Sequence, residues 1–206
     1  MLKIFYTPGT AAFASHIALE EAGADYEAVL VDFKTAEQTK PEYLKINPKG
    51  RVPALVTDKG ILTETPAILF YIAQMYPEKN LAPLDDPYAL AQIQSFNAYI
   101  CATLHVAHAH KQRGSRWANE ESSFADMRSK VTETVSASFR LIENELFKGP
   151  WVGGENYSIA DPYLFTVSRW MEGDDIDPAD FPKIHDHRNR MQDRPAVARV
   201  LPLHAR

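Results

Sequence analysis

The chain has a single cysteine, Cys101, in 206 residues. One thiol excludes an intramolecular disulfide and a C-x-x-C redox pair, and it argues against a cysteine-built zinc site. No apolar run approaches the ~20 residues that span a bilayer. The opening MLKIFYTPGT has too short an apolar stretch for a secretory leader. Basic residues are not in excess either: 22 Lys and Arg face 27 Asp and Glu, with a net charge of −5. That balance argues against a nucleic-acid-binding face. There is no internal repeat and no low-complexity segment. The expectation is a soluble cytoplasmic protein, without nucleic-acid or membrane partners. Its 45% hydrophobic residues are enough for one large core or two small ones.

What is present falls into two parts. Leu2–Tyr6 reads as a short buried strand and Thr7-Pro8-Gly9 as a turn. A helix follows over Thr10–Ala22, with Ala14, Ile17 and Ala18 on one face, and Gly23 stops it. Tyr26–Val31 reads as a second strand, completing a βαβ unit whose strands should be parallel. Lys34–Lys45 is polar and irregular, with a short helix near Pro41–Leu44. Val52–Thr57 and Ile61–Leu62 form a hairpin around Asp58-Lys59-Gly60, and a helix covers Pro66–Tyr76. After a Pro- and Asp-rich linker no strand pattern returns. Helices are expected over Ala89–His110, Phe124–Phe147, from Ser158, over Phe181–Arg194, and briefly after Pro195. Ser158 and Asp161 make a capping box with Tyr157 as its staple. The division is an α/β unit over 1–77, a linker over 78–87 and an all-α bundle over 88–206.

The densest chemistry lies in NPKGRVPAL (Asn47–Leu55) followed by TETPAI (Thr63–Ile68). Pro53 inside a strand removes a ladder hydrogen bond. If the Val52–Pro53 bond is cis, Val52 is free to turn its backbone groups away from the sheet. Glu64 and Thr65 then open a helix whose first N–H groups and positive dipole end attract a carboxylate. Together these parts suit a small peptide-like ligand.

Three segments, KIFYTPGTAAFASHIALEEAG, YLKINPKGRVPALVTDKGILTETPAILFYIA and GENYSIADPYLFTVSRW, resemble the cytosolic glutathione S-transferases, and most of all their bacterial beta class. The resemblance covers nearly the whole length. It implies a thioredoxin-like βαβαββα domain followed by an all-helical domain, and a homodimer. It implies an enzyme that adds the glutathione thiolate to small apolar electrophiles in detoxification, with glutathione as co-substrate and no metal. By that resemblance Val52, before a cis Pro53, meets the cysteinyl part of glutathione. Glu64 and Thr65 hold the γ-glutamyl end, and Lys34 lies near the glycyl carboxylate.

The chain also departs from the beta class. Ala11 and Ala12 stand where the class has a cysteine and a serine, and Leu104-His105-Val106 keeps the class histidine without its lysine. Disulfide-exchange chemistry needs a protein thiol at that place. Activation of a bound thiol then falls to N–H groups at the first helix and to a hydroxyl. Tyr6, Thr7 and Thr10 are the candidates for the hydroxyl, and His105 for lining the pocket or assisting a leaving group. His105 and His108 share a helix face, but with His110 they lack the pattern of a metal site. Trp117, Tyr163 and Trp170 are candidate walls of an apolar pocket. Retained binding with little turnover is one alternative reading, and glutathione-dependent isomerase or dehalogenase chemistry is another.

Overall fold

The computed structural model describes residues 1–205. Strand β1 (Leu2–Tyr6) pairs in parallel with β2 (Tyr26–Leu30), and helix α1 (Ala12–Ala22) connects them. Gly23 takes the left-handed conformation expected of it at the end of α1, with φ 65°. A four-residue helix α2 (Pro41–Leu44) precedes the hairpin of β3 (Ala54–Thr57) and β4 (Gly60–Thr63). β3 lies antiparallel to β1 on the side away from β2, giving the sheet order β2-β1-β3-β4. Helix α3 (Thr65–Met75) closes this half. The sequence pattern thus yields the thioredoxin-like order, with strand ends shifted by one or two residues.

The second half is helical. Helix α4 (Pro87–Tyr99) runs through a π turn at Ile100–Leu104 into α5 (His105–Ala109). Helix α6 (Glu121–Leu141) ends in another π turn at Ile142–Leu146. Helices α7 (Ala160–Ser168), α8 (Pro182–Gln192) and α9 (Pro195–Val200) follow. Among the described residues, no helix is long and apolar enough to cross a membrane. The long helix expected over Ala89–His110 is present, but wider turns interrupt its i→i+4 ladder. The apolar phase of Ile93, Phe96, Ile100 and Leu104 survives, and all four are buried.

Helix α1 joins the halves. It packs on α3 on one side and on α7 and α9 on the other, and every residue from Ala12 to Leu19 is buried. One apolar cluster therefore runs from Ile4, Leu55 and Ile72 through Ala14 and Ala18 to Phe139 and Tyr163. Two polar devices fix the helical half. Glu143, at the end of α6, accepts the Lys183 and Ile184 N–H groups at 2.9 and 3.0 Å, satisfying the start of α8. Asp161, fully buried, accepts the Ser158 N–H at 2.7 Å and the Val152 N–H at 2.8 Å, with His187 Nε2 at 3.1 Å. The capping box read from Ser158 and Asp161 is thus present, and it reaches further than its own helix. Tyr157 lies beneath the Arg194 guanidinium, 3.9 Å from its ring centre, and edge-on to Trp151.

Candidate active site

A cleft of about 800 Å³ opens between the end of β1, the loops before β3, and helices α5 and α7. That size lies toward the top of the ~300–1,000 Å³ range of small-molecule sites. Thr10, Ala11, Lys34, Val52 and His105 all line it. Four segments distant in sequence are thereby brought to one surface. Tyr6, Pro53, Glu64 and Thr65 are not in its wall.

The β1–α1 turn forms one end. Thr7 Oγ1 donates to Val31 O at 2.7 Å, and Thr10 Oγ1 donates to Thr7 O at 2.7 Å. Both hydroxyl protons are therefore committed to backbone carbonyls. The Ala12 N–H reaches Thr10 Oγ1 at 3.4 Å, and the Phe13 and Ala14 N–H groups return to Thr10 O and Ala11 O at 3.2 Å. The helix starts at Ala12, two residues later than the sequence pattern indicates, because Thr10 is drawn into this turn. Among the described residues the Ala11 N–H has no acceptor. Tyr6 lies behind the turn, with its ring 5.3 Å from His16 and 4.9 Å from His204. His16 Nδ1 and His204 Nε2 share a hydrogen bond of 3.0 Å. Burial lowers the pKa of His16 to about 4 and, with the His16 and Arg169 charges, that of His204 to about 3.

The peptide-like edge is held from below. The Val52–Pro53 bond is cis, and Val52 lies outside the paired register of β3. Two side chains fix the residue before it: Tyr43 Oη and Asn47 Nδ2 donate to Arg51 O at 2.7 and 2.6 Å. Tyr43 and Asn47 were not singled out from the sequence, since their roles require the loop to fold back on them. Gly50 turns the chain with φ 61°, where a Cβ would lie 3.1 Å from Gln38 O. Lys34 sits on a helical turn that Asp32 starts, Oδ1 accepting the Lys34 N–H at 2.8 Å. Glu64 adopts φ 75°, an uncommon conformation for a residue with a side chain. Its carboxylate pairs with Lys49 at 2.6 Å. Thr65, 4% exposed, is the first residue of α3.

On the opposite wall, burial lowers the pKa of His105 to about 4, helped by the charges of His108, Arg116 and Arg51 and opposed by Glu64. It is therefore neutral near pH 7. His108 stacks on Trp170 with centroids 4.4 Å apart, and its Nδ1 lies 2.6 Å from Asp174 Oδ2. Asp174 is fully buried although it lines the cleft. This pair was not legible in sequence, because 66 residues separate its members. Among the described residues no group of three His, Cys, Asp or Glu converges on a metal position. Trp170 lines the cleft, Tyr163 is core at 1% exposure, and Trp117 is 45% exposed against His110. Burial, and then the Glu64 charge, push the Cys101 thiol up from its ordinary value. That is opposite to what a nucleophile needs.

Comparison with known proteins matches this architecture. Residues 1–74 fit the family model "Glutathione S-transferase, N-terminal domain" and residues 96–195 fit "Glutathione S-transferase, C-terminal domain". The chain is 33% identical to glutathione S-transferase GstA of Escherichia coli O157:H7 over 97% of both chains. A solved glutathione transferase homologue from Sulfitobacter, with bound glutathione, superposes with a TM-score of 0.96 at 51% identity, covering 98% of each chain. A beta class glutathione S-transferase from Sphingomonas chungbukensis superposes with a TM-score of 0.86 at 32% identity, again covering 98% of each. The chain belongs to the glutathione S-transferase family.

Proposed function

We propose that the chain is a glutathione transferase of beta-class type, acting in the cytoplasm as a homodimer, that conjugates the glutathione thiolate to a small electrophile. The observation that carries this reading is the meeting of Thr10, Ala11, Lys34, Val52 and His105 around one cleft. Lys34 is the counter-charge for the glycyl carboxylate. Val52 presents its backbone to the cysteinyl unit beside Pro53. Glu64 and Thr65, just beyond the wall, take the γ-glutamyl ammonium and carboxylate, with Glu64 exchanging its Lys49 partner. These are charge-assisted contacts, the stronger kind of hydrogen bond.

The thiol sits over the start of α1. No side chain there offers a thiol, and the Thr7 and Thr10 hydroxyls already donate elsewhere. We assign sulfur stabilisation to the N–H groups at the helix start, with Thr10 positioning that turn, and to the positive field of the cleft. Tyr6 is assigned to packing the turn from behind. Neutral His105 serves as a hydrogen-bond partner at the electrophile end.

Calorimetry and conjugation assays test the reading. The wild type should bind glutathione at millimolar or lower concentration and conjugate a chlorodinitrobenzene. Thr65→Ala should weaken glutathione binding about tenfold, by loss of one hydroxyl contact to a charged group. Absence of any binding heat at millimolar glutathione would refute the assignment.

A further inference from the structure

The cleft is strongly basic in an acidic protein. Lys34, Arg51, Lys111, Arg113, Arg116 and Arg169 line it against one carboxylate, Asp174, while the chain as a whole carries −5. Three of these cations are accounted for. Lys34 belongs to the glutathione end. Lys111 lies 3.8 Å from Asp174 and 3.6 Å from Asp175. Arg169 lies over the Phe13 and Phe165 rings. Arg51, Arg113 and Arg116 make no ion pair among the described residues. Arg51 adjoins the glutathione edge, but Arg113 and Arg116 come from the turn after α5, on the electrophile side. Arg116 is held below its ordinary value by partial burial and then by the Arg51 and Arg113 charges. Like charges are thus gathered in one field without a partner, an arrangement that favours an anion. Glutathione brings two carboxylates and one ammonium. Lys34, the helix starts and Glu64 answer these groups, leaving Arg113 and Arg116 unclaimed.

The neighbouring wall is aromatic: buried Trp170 is stacked by His108 within 19°, the two rings line the cleft together, and Ala109 lies beside them. We propose that this end of the cleft selects a planar electrophile carrying a carboxylate, with Arg113 and Arg116 as its counter-charges and the stacked His108–Trp170 pair as its wall. This refines the apolar electrophile expected from the sequence, and it rests on the transferase reading. In the reaction the glutathione sulfur forms a bond to the electrophilic carbon. A halide leaves that carbon with its electron pair, and the thiol proton goes to solvent.

A chloronitrobenzoate and the matching chloronitrobenzamide differ in charge but share ring and leaving group. Quenching of tryptophan fluorescence, without glutathione, measures the binding of each. Conjugation rates, corrected for the uncatalysed reaction, then measure their use. The wild type should bind the benzoate about tenfold more tightly than the benzamide at low salt, and the gap should narrow as salt is added. Arg113→Gln/Arg116→Gln should bring the two within about twofold while glutathione still binds by calorimetry. Equal wild-type binding of both compounds would overturn the proposal, as would a preference retained in full by the double variant. So would a benzoate that binds beside glutathione and is not conjugated. A silent glutathione titration with the benzoate preference intact would instead refute the transferase reading and leave an anion site.

Discussion

Asp161→Ala is expected to destabilise the fold by about 3–5 kcal/mol, the range for breaking a buried charged network. The carboxylate is fully buried and serves Val152, Ser158 and His187 at once. Removing it leaves two backbone N–H groups and an imidazole without their acceptor, each costing roughly 1–3 kcal/mol where water does not enter. It also unties three places in the chain: the turn at Val152, the start of α7 and the middle of α8. Equilibrium denaturation checks this. A loss under about 1 kcal/mol would mean that the network is replaced by water or by a shifted side chain. Asp161→Asn, which keeps one acceptor, should fall between.

Acidification to about pH 4.5 is expected to destabilise the wild type before most carboxylates titrate. The groups responsible are two buried histidines, His16 and His204, and the half-buried His105. Folded His16 and His105 have pKa values of about 4 and His204 of about 3, against an ordinary 6.5. The sign follows from proton counting. Between pH 6.5 and those values the unfolded chain binds more protons than the folded one, so stability falls as pH falls. Above pH 6.5 the contribution is fully present. A shift of 6.5 to about 4 corresponds to at most ~3 kcal/mol for His105, less any relief by solvent at its partly exposed edge. Glu20 acts near His16, but its own pKa is lowered, so it adds in the same direction further down the scale. Denaturation midpoints measured between about pH 7.5 and 4.5 should fall steadily, and His105→Gln should remove part of the slope. A flat profile, or an unchanged slope in the variant, would place the charged imidazoles in water.

Much of the fold was legible because its signals are local. The strand at Leu2–Tyr6, the stop at Gly23, the hairpin around Asp58-Lys59-Gly60 and the Ser158–Asp161 box each depend on residues within a few positions of one another. The cis Val52–Pro53 bond was anticipated for the same reason, since it belongs to one short motif. What was not legible depends on distant partners. His16 meets His204 across 188 residues, and His108 meets Asp174 across 66. The π turns at Ile100 and Ile142 leave the apolar phase intact, so periodicity does not reveal them. Tyr6 shows the ambiguity of an aromatic at a strand end: its contacts with His16 and His204 support the packing role proposed for it, and neither partner is near it in sequence. The basic character of the cleft was hidden in the composition, where acidic residues elsewhere outweigh it.

The departure at Ala11 defines the chemical question. In the proposed transferase reading, with Ala11 and Ala12 at that turn, backbone donors and field are what ionise the bound thiol. Lowering a thiol from ~8.5 by ~2 units takes ~2.7 kcal/mol of differential stabilisation, within reach of several N–H groups and nearby guanidinium charges. The most direct test is the ultraviolet absorbance of the glutathione thiolate in the saturated complex, followed as a function of pH. The account predicts half-ionisation near pH ~6.5–7, about 2 units below the free thiol. A midpoint at the free value in a saturated complex would contradict it.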